Sequence, residues 1–75
     1  MGYDKAAFGK RLRDLREKCG MSPSDLADKA GVDYSAIIKY EAGKNSPGLD
    51  NAYALAMALN CRIDELCNLP APEDR

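Results

Sequence analysis

Apolar residues recur along most of the chain at three- and four-residue intervals, the period of a helix with one buried stripe. Phe8, Leu12, Leu15 and Cys19 stand at i, i+4, i+7 and i+11 with basic residues opposite, and Gly20 follows as a left-handed stop. Ser22 and Pro23 read as the N-cap and first position of a second helix, which carries Leu26, Ala27 and Ala30 and ends at Gly31. Asp33 is the N-cap candidate of a third helix, running through Ile37, Tyr40 and Glu41 to a stop at Gly43. A polar loop over 44–48 precedes a fourth helix from Leu49 to Leu59, with Asn60 as its left-handed end. Arg62 to Asn68 forms a short last helix carrying Ile63 and Leu66. No alternating β-branched run interrupts this pattern. It predicts an all-α fold, a compact five-helix bundle over residues 1–68. Residues 69–75, with two prolines and three charges, are expected to be a flexible tail.

The segment from Pro23 to Ala42, PSDLADKAGVDYSAIIKYEA, is the most informative. Two helices of about eight residues meet at a tight turn that Gly31 opens, and a left-handed backbone there suits glycine. Ala27 supplies the small side chain that lets the two helices cross closely, above a shared core of Leu26, Ala30, Val32, Ile37 and Tyr40. This is a helix-turn-helix arrangement, whose second helix enters a major groove.

Composition narrows the chemistry. Seventy-five residues allow one small domain with little room for a catalytic cleft, and 45% hydrophobic with 31% charged residues is a globular balance. Histidine is absent and the three cysteines (Cys19, Cys61, Cys67) form no CxxC pair, which removes Cys–His zinc sites and histidine acid–base catalysis. The thiols read as small core residues. With no nucleophile–base pair, metal cluster or phosphate loop, neither an enzyme nor a cofactor is expected. No run of 18 apolar residues and no signal segment appear, so the expectation is a cytoplasmic protein without a membrane span. Net charge is −1, yet six basic residues against two acids lie between Lys5 and Lys18, and five acids against two arginines between Gly48 and Arg75. The chain is electrically polarised, which leaves room for a DNA-binding face.

From Phe8 to Cys67 the chain resembles the phage repressor/Cro-type helix-turn-helix family, also called the xenobiotic-response-element family, with a lambda-repressor-like fold. The stretches that carry the resemblance are FGKRLRDLRE, MSPSDLADKAGVDYSAIIKYEAGK and ALAMALNCRIDEL. The resemblance implies a sequence-specific double-stranded DNA-binding regulator, a repressor acting from an operator. It places base readout on Tyr34, Ser35, Ile38 and Lys39, and phosphate contacts on Ser22 at the start of helix two and on Gly43, Lys44 and Asn45. It also pairs Arg16 with Glu41, either to brace the recognition helix while one guanidinium edge meets a phosphate, or as a purely structural ion pair. Ala27, Gly31, Ile37 and Glu41 fall on its structural positions.

Ile38 stands where relatives usually carry a polar residue, and it suits either a thymine methyl or the surface of a partner protein. Pro23 and Ala42 replace the glutamine and asparagine common in relatives, which removes anchor points and lowers the expected affinity. Lys39, Lys44 and Arg16 give two or three cations per half-site. A dimer would neutralise about four to six phosphates, for a salt slope of roughly −4 to −5.

Helix four is apolar nearly all round, so one side of it needs cover beyond a lone small monomer. A homodimer through Tyr53, Met57, Leu66 and Leu69 is expected, with recognition helices about one turn (~34 Å) apart. The alternative from another class is a protein-interaction module, antitoxin- or anti-repressor-like, that keeps the fold and has weak or no DNA binding. Net acidity, Pro23, Ala42 and Ile38 favour it.

Overall fold

The computed structural model describes residues 5–67, with the backbone alone at positions 64 and 67. Four helices carry the architecture: α1 (Lys5–Lys18), α2 (Pro23–Ala30), α3 (Tyr34–Glu41) and α4 (Leu49–Ala58). Each is stopped by a residue in the left-handed region, Gly20, Gly31, Gly43 or Asn60, with φ of +71°, +70°, +76° and +56°. These reversals turn the chain back while still satisfying the last carbonyls. At the end of α2, for instance, the Gly31 and Val32 N–H groups both donate to the Ala27 carbonyl, at 2.9 and 3.1 Å. The expected five-helix count is not met in full, because the last element, α5 (Ile63–Cys67), is a five-residue turn of helix. Such a piece has no intrinsic stability and is held by packing. Among the described residues there is no strand.

The capping residues differ in how well they work. Ser22 Oγ accepts from the Asp25 N–H at 3.0 Å while Asp25 Oδ2 accepts from the Ser22 N–H at 3.1 Å, a full capping box. Asp33 occupies the N-cap of α3 but makes no side-chain cap hydrogen bond. Its carboxylate instead accepts from Ser35 Oγ at 3.4 Å.

The core joins Phe8 and Leu12 of α1, Leu26 of α2, Ile37 and Tyr40 of α3, Leu55 and Leu59 at α4, and Leu66 of α5. Burying each such side chain is worth about 1.5–3 kcal/mol of transfer free energy. Phe8 meets Tyr40 edge to face, ring centroids 6.1 Å apart, and Asn51 Nδ2 donates to Tyr40 Oη at 3.1 Å, linking α4 to α3. Gly9 makes the α1–α3 crossing possible. A Cβ there would lie 2.4 Å from the Tyr40 carbonyl oxygen and 2.9 Å from that of Glu41.

Three expectations need correction. Cys19 is exposed, its thiol 3.7 Å from the Leu59 carbonyl, because Arg16 continues the buried stripe after Leu12 in its place. Ala30 is half-buried against the shared core and not inside it. Leu66 is fully buried in this chain's own core, so it offers no surface to a second copy. Leu69 and the expected tail lie outside the described residues, as does the side chain of Cys67.

Candidate nucleic-acid interface

The α3 helix presents two faces with different jobs. Ile37 and Tyr40 point into the core, whereas Tyr34, Ser35, Ile38 and Lys39 all lie on the exposed side. The four residues singled out for base contact therefore share one solvent-facing surface. Tyr34 is 53% and Ile38 40% exposed, four residues apart and so stacked on one stripe. Isolated exposed apolar side chains are ordinary, but two on the outer face of the motif's second helix make a surface that hydrogen bonding alone does not serve.

That helix is held rigid from behind. Arg16 Nε and Nη2 donate to the two Glu41 carboxylate oxygens at 2.7 and 2.9 Å, a bidentate pair with both side chains about nine-tenths buried. Arg16 Nη1 donates to the Met21 carbonyl at 2.8 Å. The guanidinium thus ties α1, the α1–α2 turn and the last residue of α3 together. Hydrogen bonding to Glu41 raises its pKa above the ordinary arginine value, outweighing the opposite pull of burial. The edge expected to meet a phosphate donates to Met21, so each guanidinium nitrogen of Arg16 has a partner within the chain. Ala27 is buried, Gly31 is left-handed at the end of α2 and Ile37 is fully buried.

The expected phosphate contacts are placed unevenly. The Ser22 hydroxyl is engaged in its own capping box, Pro23 has no N–H, and the Asp25 carboxylate stands at the start of α2. An anion arriving there meets a negative charge, and Ser24 keeps the remaining first-turn N–H. In the loop after α3, the N–H groups of Gly43 and Lys44 return to the Tyr40 and Lys39 carbonyls at 3.1 and 3.0 Å. What that loop offers a phosphate is the exposed side chains of Lys44 and Asn45.

A second exposed surface lies on α4. Leu49, Tyr53 and Met57, spaced by four, are 76%, 59% and 65% exposed and form one apolar stripe. Tyr53 and Met57 were expected there; Leu49 was missed, although the same four-residue period reaches it. Also missed were Gly9, whose role no local pattern reveals, and Asn51, the polar tie to Tyr40. Among the described residues no group of three or more His, Cys, Asp or Glu side chains is placed to hold a metal, and no helix is long and apolar enough to cross a membrane.

The comparisons agree on one family. An uncharacterized helix-turn-helix transcriptional regulator of Archaeoglobus fulgidus is 43% identical over 56 residues, 75% of this chain and 80% of the relative. The restriction-modification controller protein C.AhdI of Aeromonas hydrophila superposes with a TM-score of 0.80 at 39% identity, covering 83% of this chain and 94% of that one. The P22 c2 repressor, solved with a synthetic operator, gives a TM-score of 0.74 at 34% identity, over 79% of this chain and 89% of that one. Other matched regulators differ in length, and the chain spans from 79% down to 15% of them. These relatives are regulators, which points away from catalysis. A helix-turn-helix family model (HTH_3) matches residues 12–66, and the chain belongs to that family.

Proposed function

We propose that the chain is a sequence-specific double-stranded DNA-binding transcriptional regulator, a repressor that occupies its operator as a homodimer. The observation that carries this reading is the exposed row Tyr34, Ser35, Ile38 and Lys39 on a helix braced at its far end by Arg16 and Glu41. The exposed face of α3 enters the major groove. There Ser35 and Lys39 supply hydrogen bonds, Ile38 and the Tyr34 ring meet thymine methyls, and Lys44 and Asn45 hold the backbone. The P22 c2 repressor, similar over most of this chain, is known bound to a synthetic operator and supports the same use of the fold.

The α4 stripe of Leu49, Tyr53 and Met57 joins two copies about a two-fold axis. Tyr and Met are enriched where protein surfaces meet, and a self-complementary stripe makes a closed pair instead of an open chain. The two recognition helices then face half-sites about one helical turn, ~34 Å, apart.

Chemical protection tests this arrangement directly. Bound protein should shield guanine N7, in the major groove, in two patches one turn apart, and leave adenine N3, in the minor groove, reactive. Protection of N3 alone, or a single unpaired patch, would contradict it.

A second reading is favoured by one specific observation, the capping box at α2 in which Asp25 and Pro23 leave little for a phosphate. In that reading the chain is a protein-interaction module whose exposed Tyr34 and Ile38 pack against a partner. The pair Lys39→Ala and Lys44→Ala separates the two, because it abolishes DNA binding and leaves an apolar protein contact nearly intact.

A further inference from the structure

We propose that Lys10 and Arg13 of α1 hold a DNA backbone phosphate in the notch between α1 and the end of α3. This inference rests on the DNA-binding reading above. The notch is open, with a volume of about 270 Å³, and is lined by Ala6, Lys10, Arg13, Glu41, Ala42 and Gly43. Three of its walls are small residues, so the two cations dominate what an incoming ligand meets.

Its position follows from the helix period. Tyr34, Ile38 and Ala42 stand at i, i+4 and i+8, so the exposed stripe of α3 runs straight to the notch. Eight residues at 1.5 Å each make that stripe about 12 Å long. When the exposed face of α3 contacts bases, its C-terminal end lies out at the phosphate rim. Gly43 belongs both to the notch and to the loop that carries Lys44 and Asn45, so the notch extends the expected phosphate-binding loop onto α1.

The charges there are available. Glu41 is already satisfied by Arg16 through both carboxylate oxygens. Arg13 Nε stands 3.8 Å from Glu41 Oε1, beyond hydrogen-bond length, and its side chain is 55% exposed. Its guanidinium keeps the fork geometry that suits a phosphate diester. Lys10 Nζ is 3.7 Å from Asp14 across a largely exposed pair, worth little and readily exchanged for a phosphate oxygen. The notch gives both residues a ligand.

The test is anisotropy of a duplex bound by the whole chain at several salt concentrations, with Lys10→Gln and Arg13→Gln made singly and together. Each lost phosphate contact makes the plot of log K against log salt shallower by about 0.9. Because the two cations hold one phosphate, the double variant should be shallower by about 0.9 per bound subunit, for specific and random duplex alike. Lys18→Gln, at the far end of α1, should leave the slope unchanged. Lys10→Gln alone, at an exposed and weakly paired position, keeps the test decisive if the double variant melts early. Wild-type binding with an unchanged slope in both singles and the double overturns this proposal and leaves the DNA-binding reading standing. Absence of any wild-type binding overturns both.

Discussion

Arg16 and Glu41 meet through two parallel hydrogen bonds, 2.7 and 2.9 Å, that join the chain's first helix to the last residue of α3. Twenty-five residues separate them in sequence. The pair fixes the angle at which α3 leaves the bundle, and the third guanidinium donor, to Met21, fixes the entry to α2.

Removing one partner strands a charge that is nine-tenths buried. Glu41→Ala or Arg16→Ala should each destabilise the fold by about 3 kcal/mol in urea denaturation. The double variant Arg16→Met, Glu41→Leu should recover most of that loss. The pair does not weaken on the arginine side as pH rises through the neutral range. The Arg16 pKa is raised above the ordinary arginine value, so its contribution is fully present below that ordinary value and is lost only as pH rises through the raised one.

Gly9→Ala tests the closest approach of α1 to α3. The added methyl would fall 2.4 Å from a backbone oxygen, which no rotamer change relieves. Overpacking of this kind costs about 1–3 kcal/mol, although alanine favours a helix by up to about 1 kcal/mol. The net result should be a melting temperature lower by roughly 5–15 °C for a domain of this size. An unchanged or higher melting temperature would place α1 further from α3 than described.

How much of this was legible in the sequence depends on whether the cause was local. The four left-handed stops are, since Gly and Asn are the residues that enter that region at least cost, and each follows an apolar run. Tyr34, Ser35, Ile38 and Lys39 come from the resemblance to the family, and the structure places them off the stripe of Ile37 and Tyr40. Gly9 is not legible, because the carbonyls it makes room for belong to a helix some thirty residues away in sequence. Cys19 and Leu66 failed in a related way. A periodic stripe says that a side chain faces something apolar, and only the packing says whether that is the chain's own core, a second copy or nothing. Leu66 went to the core, and the stripe of α1 ended on Arg16 before reaching Cys19. The capping box was hidden by the shorter acid: Asp25 stands where Glu or Gln is the usual signal.

Met57→Asp places a charge on the Leu49–Tyr53–Met57 stripe without disturbing the core, since Met57 is exposed. It should weaken self-association at least about 30-fold, the ~2 kcal/mol of an interface hot spot, with the melting of the isolated monomer unchanged. Sedimentation equilibrium reads the first and a melt at low protein concentration the second. Equal self-association in the wild type and the variant would move the dimer contact elsewhere.

Ile38 has no side-chain hydrogen bond to offer, and the apolar group on a base edge in the major groove is the thymine methyl. Replacing thymine by uracil in the half-site should weaken wild-type binding about tenfold, within the ~1–3 kcal/mol of one base discrimination. Ile38→Ala should bind both duplexes equally. A wild type indifferent to the methyl would return Ile38 to a partner surface.

Selection from random duplex DNA by the purified chain, followed by anisotropy on the enriched sequences, reaches the whole proposal in one measurement. An inverted repeat with half-sites one turn apart and a preference of at least ~10³ over random duplex is the predicted result. If no sequence is enriched and low-salt binding is no tighter than ~10⁻⁴ M, the weak end of non-specific affinity, the exposed face of α3 does not read DNA.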